Sequence, residues 1–401
     1  MDYYLRVKFG DKDVPVNPSN LKELTIIQDI NKFLPEFRLQ LVDTTGALTH
    51  TLPFDINMSK VQVEFSPDLE HETPNSLTFS IYQREPYADE STPSGRYEIV
   101  GLLDVEGLLN PQYSRGFSGT IKSTIESIAT ELRIGIKKDE GIAEIEVSPA
   151  LGETKNLVQP QWNNAQFLKY LKENLEGVSG EYGYKCFIKA YKTRTTFVFK
   201  SYWEMIAETP SYKFILADTP YEDRLPIINY SIFDNYKIYT TLAGKEQGFA
   251  YFNYATSEFV TGTEEIQDYT SLTDFWLLDQ NDSTDNNSLN ATGRSNDFTS
   301  NFGGYVKSSY SNRMMSLVQM WITTYGMANV CPGQMVEIFF PYGTEGGEMY
   351  SYQYSGYWLI EKVVHNFGDH YITRLLLTRN GLDTDKATTL LKATKQIGKS
   401  K

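Results

Sequence analysis

The chain has 401 residues, of which 40% are apolar, 14% aromatic and 22% charged. At roughly 100 to 200 residues per domain this length suits two to four domains, and the apolar share excludes wholesale disorder. A formal net charge of -14 sets the average surface against a phosphate backbone, so tight or sequence-specific nucleic-acid binding driven by counterion release is not expected.

The opening MDYYLRVKFGDKDVPV carries charges within six residues and has no apolar stretch of the kind a secretion signal needs. No apolar run approaches the roughly 18 residues of a spanning helix. A chain made in the cytoplasm, without membrane insertion, is expected. The first hundred or so residues alternate at the strand period in YYLRVKF (3–9), FRLQLVD (37–43), KVQVEF (60–65), LTFSIYQ (77–83) and RYEIVGLLDV (96–105). Apolar residues at every second position bury one face of a sheet.

The period then becomes helical. Ile121, Ile125, Ile128 and Leu132 form one stripe, with Ser118 as the expected N-cap. After Pro160, the residues Phe167, Leu168, Leu171 and Leu175 line a second helix, with Asn163 or Asn164 as cap and Gly177 as stop. The segments YKCFIKAY (184–191) and TTFVFKSY (195–202) read as a strand pair. Strands resume at LPIINYSIF (225–233). From 256 to 304 the composition turns polar and acidic and reads as a long surface insertion for partner contact. A short helix near 310–317 leads to the strands MWITTYGMANV, GQMVEIFF, GYWLIEKVVHNF and HYITRLLLTR, and the end, 383–401, is a basic tail.

The pattern predicts a β-rich α+β chain: a first β-domain over 1–112, an α+β connecting region over 113–205, and a second β-domain from 206–255 and 305–382. The 256–304 insertion interrupts this second domain.

Chemistry-bearing constellations are sparse. The four histidines, His50, His71, His365 and His370, make no metal-ligand spacing, and structural or solvated roles are expected for His365 and His370. Cys186 and Cys331 lie in apolar strand-like segments and read as small hydrophobes. Asp279, Asn281, Asp282 and Asp285 superficially resemble a calcium loop, but Thr284 replaces its glycine and Asn290 its final acid. The Gly-rich 343–348 lacks the Lys-Ser/Thr of a phosphate loop. Paired carboxylates of a glycosidase are not singled out among 51 acidic residues. No catalytic, cofactor-binding or metal-binding residue is assigned, no cofactor is expected, and the chain does not read as an enzyme.

The most specific stretch is Tyr325 to Gly381, an ordered set of Pro332, Gly333, Val336, Ile338, Gly356, Tyr357, Ile360, Val363, His365, Tyr371, Thr373, Leu375 and Leu377. It resembles the closing barrel of baseplate central hub proteins of contractile-tailed phages. That family is typified by the hub of T-even phages and is related to the hub part of contractile injection system spike proteins. ELRIGI (131–136) and QWNNAQFLKYLKENLEG (161–177), followed by the CFIKAY and FVFKSY strands, stand in the order that this family shows between its barrels.

The resemblance implies two tail-tube-like β-barrel domains per chain and a homotrimer forming a pseudo-sixfold ring in the virion. Such a ring joins the sixfold tail tube to the threefold central spike and leaves a channel for DNA ejection. The implied partners are the central spike protein, tail tube or tube-initiator proteins and the tape measure protein. The alternatives are a receptor- or glycan-binding tail protein, suggested by Tyr-rich MYSYQYSGYW, and a cell-wall-degrading tail enzyme.

Overall fold

A computed structural model describes residues 2–10, 12–14, 20–43, 60–68, 74–87, 95–134, 144–175, 177–178, 182–191, 194–217, 223–234, 246–253, 258–265, 288–291, 308, 312, 315, 318–341 and 354–379. The first part of the chain supplies β1 (Tyr4–Phe9), β2 (Lys12–Val14), β3 (Leu21–Asp29), β4 (Glu36–Asp43), β5 (Lys60–Ser66), β6 (Asn75–Tyr87), β7 (Gly95–Leu103) and β8 (Val105–Glu106). The middle holds β9 (Tyr113–Phe117), α1 (Ile121–Glu131), β10 (Arg133–Ile134), β11 (Glu144–Val147), β12 (Leu157–Trp162), α2 (Asn164–Asn174), β13 (Tyr184–Tyr191), β14 (Arg194–Ser201) and α3 (Tyr202–Ile206). The last part contributes β15 (Tyr212–Ile215), β16 (Leu225–Pro226), β17 (Asn229–Asp234), β18 (Glu246–Asn253), β19 (Glu258–Glu265) and β20 (Ser288–Ala291). It ends with β21 (Val318–Tyr325), β22 (Met335–Phe339), β23 (Gly356–Phe367) and β24 (Tyr371–Arg379). The chain is thus mostly β-sheet with few helices.

The alternating segments become strands for the expected reason. In β5 the burial alternates from Val61 through Val63 to Phe65, and in β21 from Val318 through Met320 to Ile322. β1 to β7 form a mainly antiparallel ladder in the order β2-β1-β5-β6-β7-β4-β3. β3 then pairs directly with β23, so strands from both ends of the sequence belong to one fourteen-stranded sheet. The α+β segment read from the sequence as the connection is therefore accompanied by a direct strand-to-strand joint.

Among the described residues, three apolar clusters fill the interior. The largest combines β1 to β7 with the Ile121, Ile125 and Ile128 stripe of α1 and Phe167, Leu168 and Leu171 of α2. Each such buried side chain contributes roughly 1.5–3 kcal/mol of transfer free energy. A second cluster gathers Phe214, Met320, Ile322, Val336, Ile338, Trp358, Ile360 and Leu375. The third lies between these regions and contains Ile30, Phe187, Val198, Tyr202, Met205, Met335 and Leu359. β13 and β14 are buried on both faces: Cys186, Ile188, Phe197 and Phe199 point to the first core, while Phe187 and Val198 point to the third. Double burial accounts for the nearly continuous apolar run of YKCFIKAY.

Local details depart from the sequence reading at three places. α1 is capped by Thr120, whose side chain accepts from the Ser123 amide, and not by Ser118. Gly119, at φ +130°, turns the backbone between the two candidates. α2 begins as expected at Asn163 with a reciprocal capping box to Gln166. It stops at the extended, buried Leu175, whose amide donates to the Leu171 carbonyl, so Gly177 is not its terminator. The stretch taken as an insertion from 256 contains β19, which pairs antiparallel with β18, and β20, which pairs parallel with β18. The β-forming residues of EFVT continue the preceding strand as a hairpin. The residues Asp279 to Asp285, the Gly-rich 343–348, the tail 383–401, His50, His71 and most of 310–317 lie outside the described residues.

Candidate functional site at the joint between the β-units

β23 is shared between the two ends of the chain. One edge pairs with β24 from Leu359 to Phe367. The other pairs first with β22, from Ile338↔Gly356 to Met335↔Leu359, and then with β3, from Lys362↔Asp29 to Phe367↔Leu24. The handover occurs at a bulge between Ile360 and Lys362, where Glu361 is the extra residue. Backbone hydrogen bonds continue across it. The Ile360 amide donates to the Gln334 carbonyl (2.9 Å), the Ile360 carbonyl accepts from the Gly333 amide (2.8 Å), and the Glu361 carbonyl accepts from the Ile30 amide (3.1 Å).

Gly333 shows why the Pro-Gly pair sits here. It has φ +85°, and a Cβ on it would stand 3.0 Å from Phe187 Cζ and 3.3 Å from Met205 Sδ. Only glycine combines that left-handed backbone with so close an approach to β13 and α3.

Beside the bulge lies a polar network in which Asp29, Lys185 and Glu361 are buried and Asn31 is exposed. The Glu361 carboxylate accepts from Asn31 Nδ2 at 2.7 Å and from Gln319 Nε2 at 3.0 Å. Asn31 Oδ1 accepts from Lys185 Nζ at 2.5 Å, and the Asn31 amide donates to Asp29 Oδ1 at 2.8 Å. Asp29 Oδ2 faces Lys362 Nζ at 3.1 Å. Lys185 also lies over the Tyr202 ring, 4.7 Å from its centroid. Glu361 is 7% exposed and Lys185 5%. Burial, with the Lys172 charge behind it, pulls the Lys185 ammonium down to about 7 against the opposing carboxylates of Glu361 and Asp29. Burial and then Asp29 hold the Glu361 carboxyl above the usual carboxylate range. Nearby, Gln28 receives the Ala190 amide at 2.9 Å and donates to the Ala190 carbonyl at 3.3 Å, tying β3 to β13. The arrangement fixes three chain segments relative to one another.

The far end of the shared ladder is aromatic. His365 is buried, with Nδ1 2.9 Å from the Tyr371 hydroxyl, and burial pulls its imidazole down to about 3. Phe65 and Tyr371 flank it, Phe367 packs against both of these rings, and Tyr3 donates to the Gly368 carbonyl at 2.6 Å. His365 is thus a neutral, hydrogen-bonded core group, while His370 is exposed and 3.5 Å from Asp2. Cys186 and Cys331 are both buried, and burial pushes the Cys331 thiol up to about 12. Among the described residues, β17 pairs with a strand on only one edge, through β21. Ile228, Tyr230 and Phe233 on and beside it are about half exposed (50%, 43% and 48%).

No family model matches the sequence. No curated protein matches it either. Solved structures do match: a tail protein from Neisseria meningitidis MC58 superposes with a TM-score of 0.55 at 12% identity, covering 95% of this chain and 98% of that one. The 43 kDa tail protein of prophage MuSo2 from Shewanella oneidensis superposes with a TM-score of 0.57 at 10% identity, covering 95% of this chain and 100% of that one. The chain shares the fold of these tail proteins. At such identities the likeness is one of architecture.

The described residues of the stretch Tyr325 to Gly381 fall on and between β21 to β24 and meet at the joint. Gly333, Ile360 and Val363 stand at the handover, and His365 and Tyr371 sit at the aromatic end. Asp29, Asn31, Lys185 and Glu361 were not singled out from the sequence. The usable signal was a broken alternation in YWLIEKVV, where Trp358, Leu359 and Ile360 are consecutively buried and are followed by two charged residues.

Proposed function

We propose that this chain is the structural hub of a phage tail baseplate or a related injection apparatus. Three copies form a pseudo-sixfold ring that joins the sixfold tail tube to the threefold central spike and leaves an axial channel for DNA. The observation that carries this reading is the near full-length fold shared with two tail proteins. The shared strand β23 supports it, because a subunit that contributes two β-units to one ring needs them held in a fixed relation. The edge of β17 that has no strand partner among the described residues, with its exposed apolar side chains, also supports it, since closure into a ring gives such edges partners. In this role the chain acts by assembly with spike, tube and tape measure proteins and carries out no catalysis.

Native mass spectrometry of the purified chain, alone and mixed with the spike protein of the same particle, combined with electron-microscope class averages, tests the reading. Three copies around an axial channel are expected. A monomer at all concentrations, with or without the spike protein, contradicts it.

A further inference from the structure

The buried charges at the joint form a relay and not a direct ion pair. Asn31, itself exposed, stands between them, its side-chain amide nitrogen donating to Glu361 and its amide oxygen accepting from Lys185. Flipping that amide would turn its NH2 toward the ammonium and its oxygen toward the carboxylate, so the two charges lock its orientation. The relay connects the turn after β3, the strand β13 and the bulge of β23, three places far apart in sequence. We propose that the Lys185–Asn31–Glu361 relay makes the joint a proton-linked hinge, which opens most readily when both ends are charged and closes more tightly when either is neutralised.

Both ends are withdrawn from water, where an ionised group loses hydration that its neighbours restore only in part. Lys185 faces Lys172 of α2, Asp29 of β3 and Tyr202 of α3, besides Glu361. Glu361 faces Asp29, Lys185 and Lys362, and the uncharged Gln319 of β21. Opening lets both groups return toward their ordinary behaviour. From about 7 up to the ordinary lysine value of 10.5, the open joint holds more protons than the closed one, so opening becomes rarer as pH rises through that span. From the ordinary carboxylate value of 4.5 up to the raised value of Glu361, the closed joint holds more protons, so opening becomes rarer as pH falls through it. Wherever both groups are ionised together in the closed joint, opening is most frequent.

Hydrogen exchange of the full chain from pH 5 to 9, corrected for intrinsic rates, tests this at the Ile30, Gly333 and Ile360 amides. The opening constant there is expected to fall by up to about tenfold per pH unit above pH 7, and to fall again on the acid side, while the β5–β6 ladder stays flat. Lys185→Met is expected to remove the alkaline limb and Glu361→Gln the acid limb. A flat wild-type profile at the joint overturns the proposal, as does an equal limb in the β5–β6 ladder or an alkaline limb that survives Lys185→Met. Should either variant fail to fold, 15N titration of the Lys185 side chain in the wild-type chain decides: a midpoint near 7 supports the hinge, and one above 9 overturns it.

Discussion

The two β-units at the ends of the chain are built differently. The first shares one continuous core with the middle segment: the β1 to β7 ladder, the stripes of α1 and α2, and one face of β13 and β14 all meet in a single apolar cluster. The last has a compact cluster of its own, packed around Trp358 and drawn from β15 and β21 to β24. The middle segment is therefore an extension of the first unit as much as a bridge to the second. What couples the halves is the shared β23 and the small third core beneath it. A joint of this kind combines a local weak point, the bulge, with a pairing that keeps every strand direction fixed.

Substitutions can break this contrast at graded depth. Trp358→Ala empties the centre of the last unit, where the ring is fully buried, Nε1 donates to the Tyr354 carbonyl at 2.9 Å and Arg379 lies 4.3 Å from the ring centroid. A loss of about 3–5 kcal/mol is expected in urea denaturation, with the protection of β21 and β22 and that of β5 and β6 falling together. Gly333→Ala strikes the joint itself. Strain at φ +85° and the contact with Phe187 together should cost about 1–3 kcal/mol, and protection should drop at Ile30 and Ile360 before it drops in either core. Lys122→Ala is the control on the outer face of α1, where the ammonium lies 3.8 Å from Glu126 and both side chains are well exposed. Its effect should stay below about 0.5 kcal/mol.

The elements that close locally were legible in the sequence, and the elements that close at long range were not. Period-two alternation located the β5 and β21 strands, and the Ile121, Ile125 and Ile128 stripe located α1, because each pattern is set by one buried face. Asn163 was readable as a cap because the reciprocal bond to Gln166 lies within four residues. The joint depends on Lys362–Phe367 meeting Leu24–Asp29 across more than 300 residues, and no local pattern specifies such a pairing. Asp29, Asn31, Lys185 and Glu361 have the composition of a solvated face. The burial of Asp29, Lys185 and Glu361 follows only from the third core beside them, while Asn31 stays exposed. Pro332-Gly333 read as an ordinary turn, and its further task of admitting Phe187 and Met205 became visible only when β13 and α3 were placed against it.

Pulse-labelling hydrogen exchange across a urea gradient tests most directly whether the shared strand makes the two β-units one cooperative body. The amides of the β5–β6 ladder and of β21 and β22 should become exposed at the same urea midpoint in the wild-type chain. Two midpoints separated by more than about 1 M, a large fraction of the stability of a domain at ordinary urea slopes, would mean that β23 only lies between two independent units and couples neither.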